Sequence, residues 1–383
     1  MVYDVVVCGG GIAGVAAALA ASRTSKKVLL VEREYALGGL ATLGIICIYL
    51  PLCDGAGYKM CGGLAEYLLK LSLKYGPGKI PEAWLNPNST PEERMHPNRY
   101  RVTYNPASFI IAMEEELLNN GVEILYGSHI SGVEVNDGMM NSIYIESKRG
   151  RQEIKGKTFI DTTGDADICY FAGEKTIDDN DNRKAGWYFS YDEKELKLNV
   201  LADPVYTTVP EGSRAYSGVD MRDVTQSCID SRKMILNDYL NKKKDNKDIY
   251  PLIIPSFHSL RMTRRLDGDY HFSMNDEGIY FKDSIGMLGN WHRNRQDRYS
   301  LPVRIIEAKN TNNLYVAGRC VPADKEGQDL VRIIPACAVT GEAAGTMAAY
   351  QAINGKKPKI EELQKILKDN GVLIEQDLFK RVV

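Results

Sequence analysis

The sequence predicts an α/β protein. One domain is Rossmann-like, with a parallel central sheet assembled from separated pieces of chain, and an α+β domain is inserted before the last piece. Three observations carry this. A buried strand, a glycine-rich turn and an alanine-rich helix open the chain. The stretch from about Glu174 to Leu301 is more polar and reads as a domain of its own. NLYVAGRC, Asn313 to Cys320, then returns to buried-strand composition, and a helix rich in small residues follows.

Each element follows in order. Tyr3 to Cys8 is β-branched with little alternation, the pattern of a strand buried on both faces. Gly9 to Gly14 is a turn, Ile12 to Arg23 a helix and Lys27 to Glu32 a second buried strand, which completes a β-α-β unit. Gly38 to Tyr58 is irregular. Gly62 to Tyr75 is an amphipathic helix, with Leu64, Leu68, Leu69 and Leu71 on one side. Gly76 to Tyr100 is a Pro- and Asn-containing excursion, and Pro106 to Asn119 is a helix with Pro in its first turn. Val122–Leu125, Ile130–Val135 and Asn141–Ser147 are short strands, the last two joined through an Asp137-Gly138 hairpin turn. Thr158 to Asp161 is buried strand again and leads into Thr163-Gly164-Asp165. A long helix spans about Asp220 to Asn241. Pro335 to Gln351 is a helix that Gly355 and Pro358 end, and Lys359 to Lys368 forms a last short helix. The expected domains are therefore 1–75, 100–173 and 302–355 for the nucleotide-type fold, 76–99 and 174–301 for the excursion and the cap, and 356–383 for a helical tail.

Of the 383 residues, 44% are apolar and 26% charged, as in ordinary globular proteins. A net charge of -2 gives no reason to expect nucleic acid or an anionic membrane as partner. The most apolar stretch, Val5 to Ala21, is interrupted by Gly9, Gly10, Gly11 and Gly14 and lacks a basic leader, so neither a membrane span nor a signal peptide is expected. The expectation is a cytoplasmic protein. Its eight cysteines form no C-x-x-C pair, and no His stands at zinc spacing. They read as small packing residues with no metal site. A redox pair of Cys47 and Cys53 is the less favoured alternative.

Gly9-Gly10-Gly11-Ile12-Ala13-Gly14 fits G-x-G-x-x-G between a strand and a helix. Gly9 permits the tight turn, Gly11 lets backbone amides approach a pyrophosphate, and Gly14 lets helix and strand pack closely. Glu32, ending the next strand, can accept both hydroxyls of an adenosine ribose and would repel a 2′-phosphate. This indicates a dinucleotide and leaves NAD and FAD open. A second glycine pair follows in Arg33-Glu34-Tyr35-Ala36-Leu37-Gly38-Gly39-Leu40-Ala41-Thr42, where an NAD dehydrogenase would continue into its next helix. That pair favours the larger, extended cofactor.

The Gly9 loop, Glu32 and Gly38-Gly39 together resemble the FAD-binding domain of glutathione-reductase-like flavoproteins. GGLATLG, CGGLAEYLLKLSLKYG, NGVEILYGSHISGVEV, FIDTTGDAD, RMTRRLDGDY, DSIGMLGNW and NLYVAGRC, in that order, resemble a bacterial FAD-dependent oxidoreductase family related to fumarate reductase and GidA-like flavoproteins. The resemblance implies FAD as cofactor. It implies an adenine contact at the Ile130 backbone and a closing turn at Thr163, Gly164 and Asp165. It also implies a strand ending at Gly318 and Arg319 that passes beneath the ribityl chain. The helix opening near Pro335 would then aim its amides, at Ile334, Ala336 and Cys337, toward the flavin N1 and C2 carbonyl, where negative charge gathers on reduction.

For the chemistry, Arg332 directly precedes that helix and is the first candidate to touch flavin or substrate. Arg265 and Arg261 could hold an anionic or polyhydroxyl substrate. If His258 to Leu266 is extended, Arg264 lies on an apolar face and needs a carboxylate or the cofactor as partner. His271 and His292 are candidate proton carriers. Each has a structural alternative, an interdomain salt bridge for the arginines and a packing role for the histidines. The reading is hydride transfer between flavin N5 and a small polar substrate, a saccharide or a carboxylic acid by family inference, with an electron acceptor and an oligomeric state that the sequence does not identify. An NAD-dependent dehydrogenase and a flavoprotein of structural or RNA-modifying role are the alternatives.

Overall fold

A computed structural model describes residues 1–86, 88–95, 100–202, 212–290, 296–375 and 377. The chain divides into two compact units: Met1–Gly38, Cys47–Thr176 and Arg265–Val383 form the first, Gly39–Ile46 and Ile177–Arg264 the second.

The first unit is α/β. Its sheet contains β1 (Val2–Cys8), β2 (Val28–Val31), β3 (Glu123–Leu125), β4 (His129–Asn136), β5 (Met139–Ser147), β6 (Gly150–Asp161) and β7 (Leu314–Val316). The order is β3-β2-β1-β6-β5-β4, with β7 also on β6. β3, β2, β1, β6 and β7 run parallel, while β4, β5 and the first half of β6 form an antiparallel meander. β6 is long because it serves both: Ser142 to Ser147 pair with its start, then Cys8 and Val316 both align with Asp161 at its end. The expected strand at Thr158–Asp161 is the second half of this element. The Asp137-Gly138 turn has left-handed φ values of 50° and 71°, as a tight hairpin requires.

Helix α1 (Ile12–Ser22) is almost wholly buried, which explains its alanines. It crosses α4 (Ile334–Asn354), the small-residue helix near the end of the chain. A Cβ at Gly341 would stand 2.3 Å from Ala13 O, and one at Gly345 2.1 Å from Ala17 O. The two backbones therefore touch where only glycine fits. Helices α2 (Gly63–Ser72) and α3 (Pro106–Asn119) complete this layer. Asn105 caps α3 by accepting from Ser108 N, with Pro106 in the first turn.

The second unit holds a three-stranded antiparallel sheet, with Ala185–Tyr191 between Leu196–Ala202 and Tyr250–Ile253, and the helix Met221–Asp245. Asp220 caps that helix by accepting from Asp223 N. Ile235 and Ser231 O pack against Gly186, so the helix covers one face of the sheet.

Three segments differ from the sequence reading. Residues 265–290 and 76–95, where described, belong to the first unit, and 39–46 belong to the second. Tertiary partners decide this. Phe272 N donates to Pro322 O, Asp324 N donates to Phe272 O, and Pro322 closes over Gly268, so 265–276 packs on the chain leading into α4. Of the expected extended stretch His258–Leu266, Arg264–Leu266 is strand.

Candidate functional site

The parallel strands end in register, Cys8 beside Val31 and Asp161, Val31 beside Leu125 and Asp161 beside Val316. Ligands of open α/β sheets bind beyond such an edge. The Gly9 loop leaves β1 here. Gly9 has φ +113°, and a Cβ would stand 2.5 Å from Thr162 O. A Cβ on Gly14 would stand 1.8 Å from Gly9 O, so that glycine is required by packing. At Gly11, by contrast, nothing lies within 4 Å of where a Cβ would be. No side chain caps α1, whose first residues are Ile12 and Ala13. An open face and uncapped helical amides suit a pyrophosphate.

Glu32 is buried and bound to the loop. Its Oε2 accepts from Gly10 N at 2.6 Å and its Oε1 from Glu34 N at 2.8 Å. A carboxylate has about four acceptor positions, so both oxygens retain capacity for ribose hydroxyls. Burial pushes its carboxyl up, opposed by the Glu34 and Gly10 amides and by Arg33. Ser128 N donates to Glu32 O just before β4, where Ile130 pairs with Ile145.

The turn after β6 meets this loop through Thr162, whose Oγ1 donates to Gly9 O at 2.7 Å. Asp161 shapes the turn from beneath. Its buried carboxylate accepts from Thr163 N and Oγ1, Ile168 N and Cys169 N at 2.7–3.1 Å. Gly164 is left-handed. Arg319 reaches over from the β7 side: its Nε donates to Gly164 O and its Nη2 pairs with Asp165, both at 2.6 Å. Arg33 Nη2 lies 3.9 Å from the other Asp165 oxygen. Thr163, Gly164, Asp165, Arg319 and Arg33 thus form one polar rim.

Gly318, left-handed at φ +83°, sits between the two helix starts. A Cβ there would be 2.9 Å from Ala13 Cβ and 3.8 Å from Cys337 Sγ. Ile333 is the N-cap of α4 without a side-chain cap, and Ile334, Pro335, Ala336 and Cys337 form its first turn. The starts of α1 and α4 and the end of β7 therefore converge, and their positive dipole ends lie at the same edge. An extended dinucleotide fits this pair of open helix ends.

Gly38 N donates to Gly10 O at 2.8 Å, which brings the first glycine of the second pair to the loop. Gly39, Leu40 and Ala41 form a 3₁₀ turn that leads into Thr42, in the second unit.

Each described chemical candidate has a protein partner of its own. Arg332 pairs with Asp329 three residues before it. Arg265 Nε donates to Ala323 O at 2.8 Å. His271 Nε2 lies 2.9 Å from Asp267, which also pairs with Lys175 at 2.7 Å. His292 and Arg293 lie outside the described residues. Among the described residues no group of three or more His, Cys, Asp or Glu could hold a metal ion, and no helix is long and apolar enough to cross a membrane. The sequence reading does not single out Asp161 or Thr162, which shape the turn beside the Gly9 loop. Asp161 carried a signal, because an acid ending a buried strand needs partners.

The fold is similar to that of p-nitrophenol 4-monooxygenase PnpA from Pseudomonas putida DLL-E4, at 12% identity and a TM-score of 0.50, over 96% of this chain and 83% of that one. It also aligns with a flavoprotein/dehydrogenase from Cytophaga hutchinsonii at 14% identity and TM-score 0.49, over 96% and 83%. L-proline dehydrogenase from P. horikoshii aligns at 15% and 0.45, over 94% and 95%. No curated protein matches the sequence. Residues 4–188 and 177–367 match the family described as FAD dependent oxidoreductase. With its open glycine loop, buried Glu32 and converging helix starts, the chain belongs to the FAD dependent oxidoreductase family, and its cofactor is FAD.

Proposed function

We propose that the enzyme transfers hydride between FAD and a small polar substrate, a saccharide or a carboxylic acid, with a separate electron acceptor or donor completing turnover. The observation that favours hydride transfer over thiol chemistry is the state of the nearby cysteines. Cys337, in the first turn of α4, donates to Arg332 O at 3.4 Å, and burial pushes its thiol up to about 12 against the pull of Arg319 and Arg332. Burial drives Cys320 well above its ordinary range as well. Thiols held protonated at neutral pH are poor nucleophiles.

Bound FAD supplies a two-electron carrier that gives or takes hydride at N5. The Gly9 loop and Glu32 hold the dinucleotide, and α4 presents its positive end. Arg332, fixed by Asp329, keeps donors of its five-fold set for a carboxylate or hydroxyl. Arg265 is the second anchor, and His271 and His292 are the proton carriers in this reading. The second unit serves as the substrate domain, and the kinship with fumarate reductase and GidA-like flavoproteins, supported by the order of the motifs, belongs to the same reading.

An apolar, aromatic substrate is the second reading. One face of the second unit's sheet carries Trp187, Phe189 and Tyr191 opposite Val200, Leu198 and Leu196, with Val200 52% exposed. Anaerobic titration of the holoenzyme, followed by oxygen-uptake measurement in air, tests both. Bleaching of the flavin bands by a sugar or a carboxylate supports the first. If none of these bleaches the flavin, but reduced nicotinamide does and an aromatic additive is needed for rapid oxygen uptake, the first fails and the second stands.

A further inference from the structure

Thr340 stands in the second turn of α4, wholly buried. Its Oγ1 donates back to Ala336 O at 2.9 Å, with Cys337 O at 3.2 Å, which directs a lone pair away from the helix. That lone pair accepts from Gly318 N at 3.0 Å. Gly318 is the residue wedged against Ala13 of α1 and beside Cys337 of α4. The next residue, Arg319, is held at its far end by Gly164 and Asp165 and is 11% exposed. One hydroxyl therefore ties the β7 turn to the open end of α4.

We infer that Thr340 is a positioning residue for the flavin. It sets how closely the start of α4 approaches the redox-active ring, and so it sets both FAD affinity and reduction potential. This rests on the reading that the end of α4 faces the flavin. The physical cause is local. Removing the hydroxyl strands a buried Gly318 N–H, and the turn regains a partner only by moving. Withdrawal of a helix end weakens the field that stabilises negative charge on reduced flavin.

The test compares wild type, Thr340→Val and Thr340→Ser holoenzymes by FAD dissociation constant and two-electron midpoint potential. Val matches Thr in shape without the hydroxyl, and Ser keeps the hydroxyl. The expected result is FAD binding about tenfold weaker in T340V, with the potential lowered by about 30 mV, the equivalent of a tenfold change for a two-electron couple. T340S should restore both toward wild type. If T340V does not fold, Thr340→Ala, which removes the same acceptor with less apolar bulk, takes its place with the same expectation. Unchanged affinity and potential in the hydroxyl-free variant would overturn the assignment. So would a fall in apoprotein melting temperature alone, an affinity loss at constant potential, or a T340S as defective as T340V. Failure of the substrate reading would appear separately, in titrations of wild type.

Discussion

The two units are held together by different means. In the first, backbones touch: α1 and α4 cross on Gly341 and Gly345, and Gly9, Gly14 and Gly318 place loops against each other. In the second, buried polar side chains do much of the joining. Asn182 accepts from Arg261 N and Met262 N, and Asn199 links Ser190 to Lys242. The buried residues of the long helix are Ser227, Ser231 and Ile235, while Ile229, Leu236 and Leu240 are exposed. Close backbone packing fixes distances and tolerates little change. A polar network depends on the protonation of its members and leaves apolar surface to spare.

The largest effect should come from a buried ion pair of the first unit. Asp54 and Arg298 meet at 2.7 Å, 0% and 7% exposed, and Asp54 also accepts from Ala56 N and Tyr58 N. Arg298→Leu should destabilise that unit by about 3–5 kcal/mol in urea unfolding, because the carboxylate is stranded. A loss below about 1 kcal/mol would show that this region is not tightly packed. Gly345→Ala is next, at about 3 kcal/mol, since its Cβ meets Ala17 O and the helices must part. Wild-type stability would remove the close-packing half of the contrast.

Acid should separate the units. His258 bonds Ser227 Oγ at 2.9 Å, and burial, aided by Arg232, lowers its pKa to about 4. The unfolded chain takes up that proton first, so the second unit keeps full stability above about pH 6.5 and loses it toward pH 4, by about 2 kcal/mol after allowance for partial exposure. Glu66 in the first unit loses its contribution in the same direction but in a lower window. Burial alone would raise its carboxyl, but hydrogen bonds from Lys59, Lys70 and Tyr100 hold it at about 2. Its contribution is lost only as pH falls from the ordinary Glu range toward 2. Hydrogen exchange at pH 5 should therefore show faster opening of Met221–Asp245 than of α4, and equal rates would count against the comparison. The smallest effect is Leu236→Lys, within about 0.5 kcal/mol on thermal unfolding, as expected for an exposed position.

Much of the first unit was legible because its signals are local. A strand, three glycines and an acid stand within thirty residues, and hairpin and capping residues such as Asp137-Gly138, Asn105 and Asp220 act on near neighbours. What was illegible depends on partners distant in sequence. Asp161 precedes the turn it supports, but Arg319, which that turn holds, is 158 positions on from Asp161, by subtraction of residue numbers. Thr340 reads as one more small helical residue, because its partner, Gly318 N, lies in a different element. Residues 265–276 look polar and cap-like, but the backbone of Phe272 bonds to Pro322 and Asp324, and Asp267 N to Lys175 O. Arg332 stands out by its place before α4 and His271 by its residue type, and neither signal says that Asp329 and Asp267 already hold them.

The second unit is made of two segments, Gly39–Ile46 and Ile177–Arg264, and the amides of Ser256 and Phe257 both bond to Leu43 O. It is stitched into the chain by four covalent crossings rather than two. Excising 177–264 would leave Leu43 without those bonds, and grafting that span onto another flavoprotein would carry an unfinished module. Any exchange of this unit between relatives, by recombination or at the bench, has to move the short strip after Gly38 together with the long insertion.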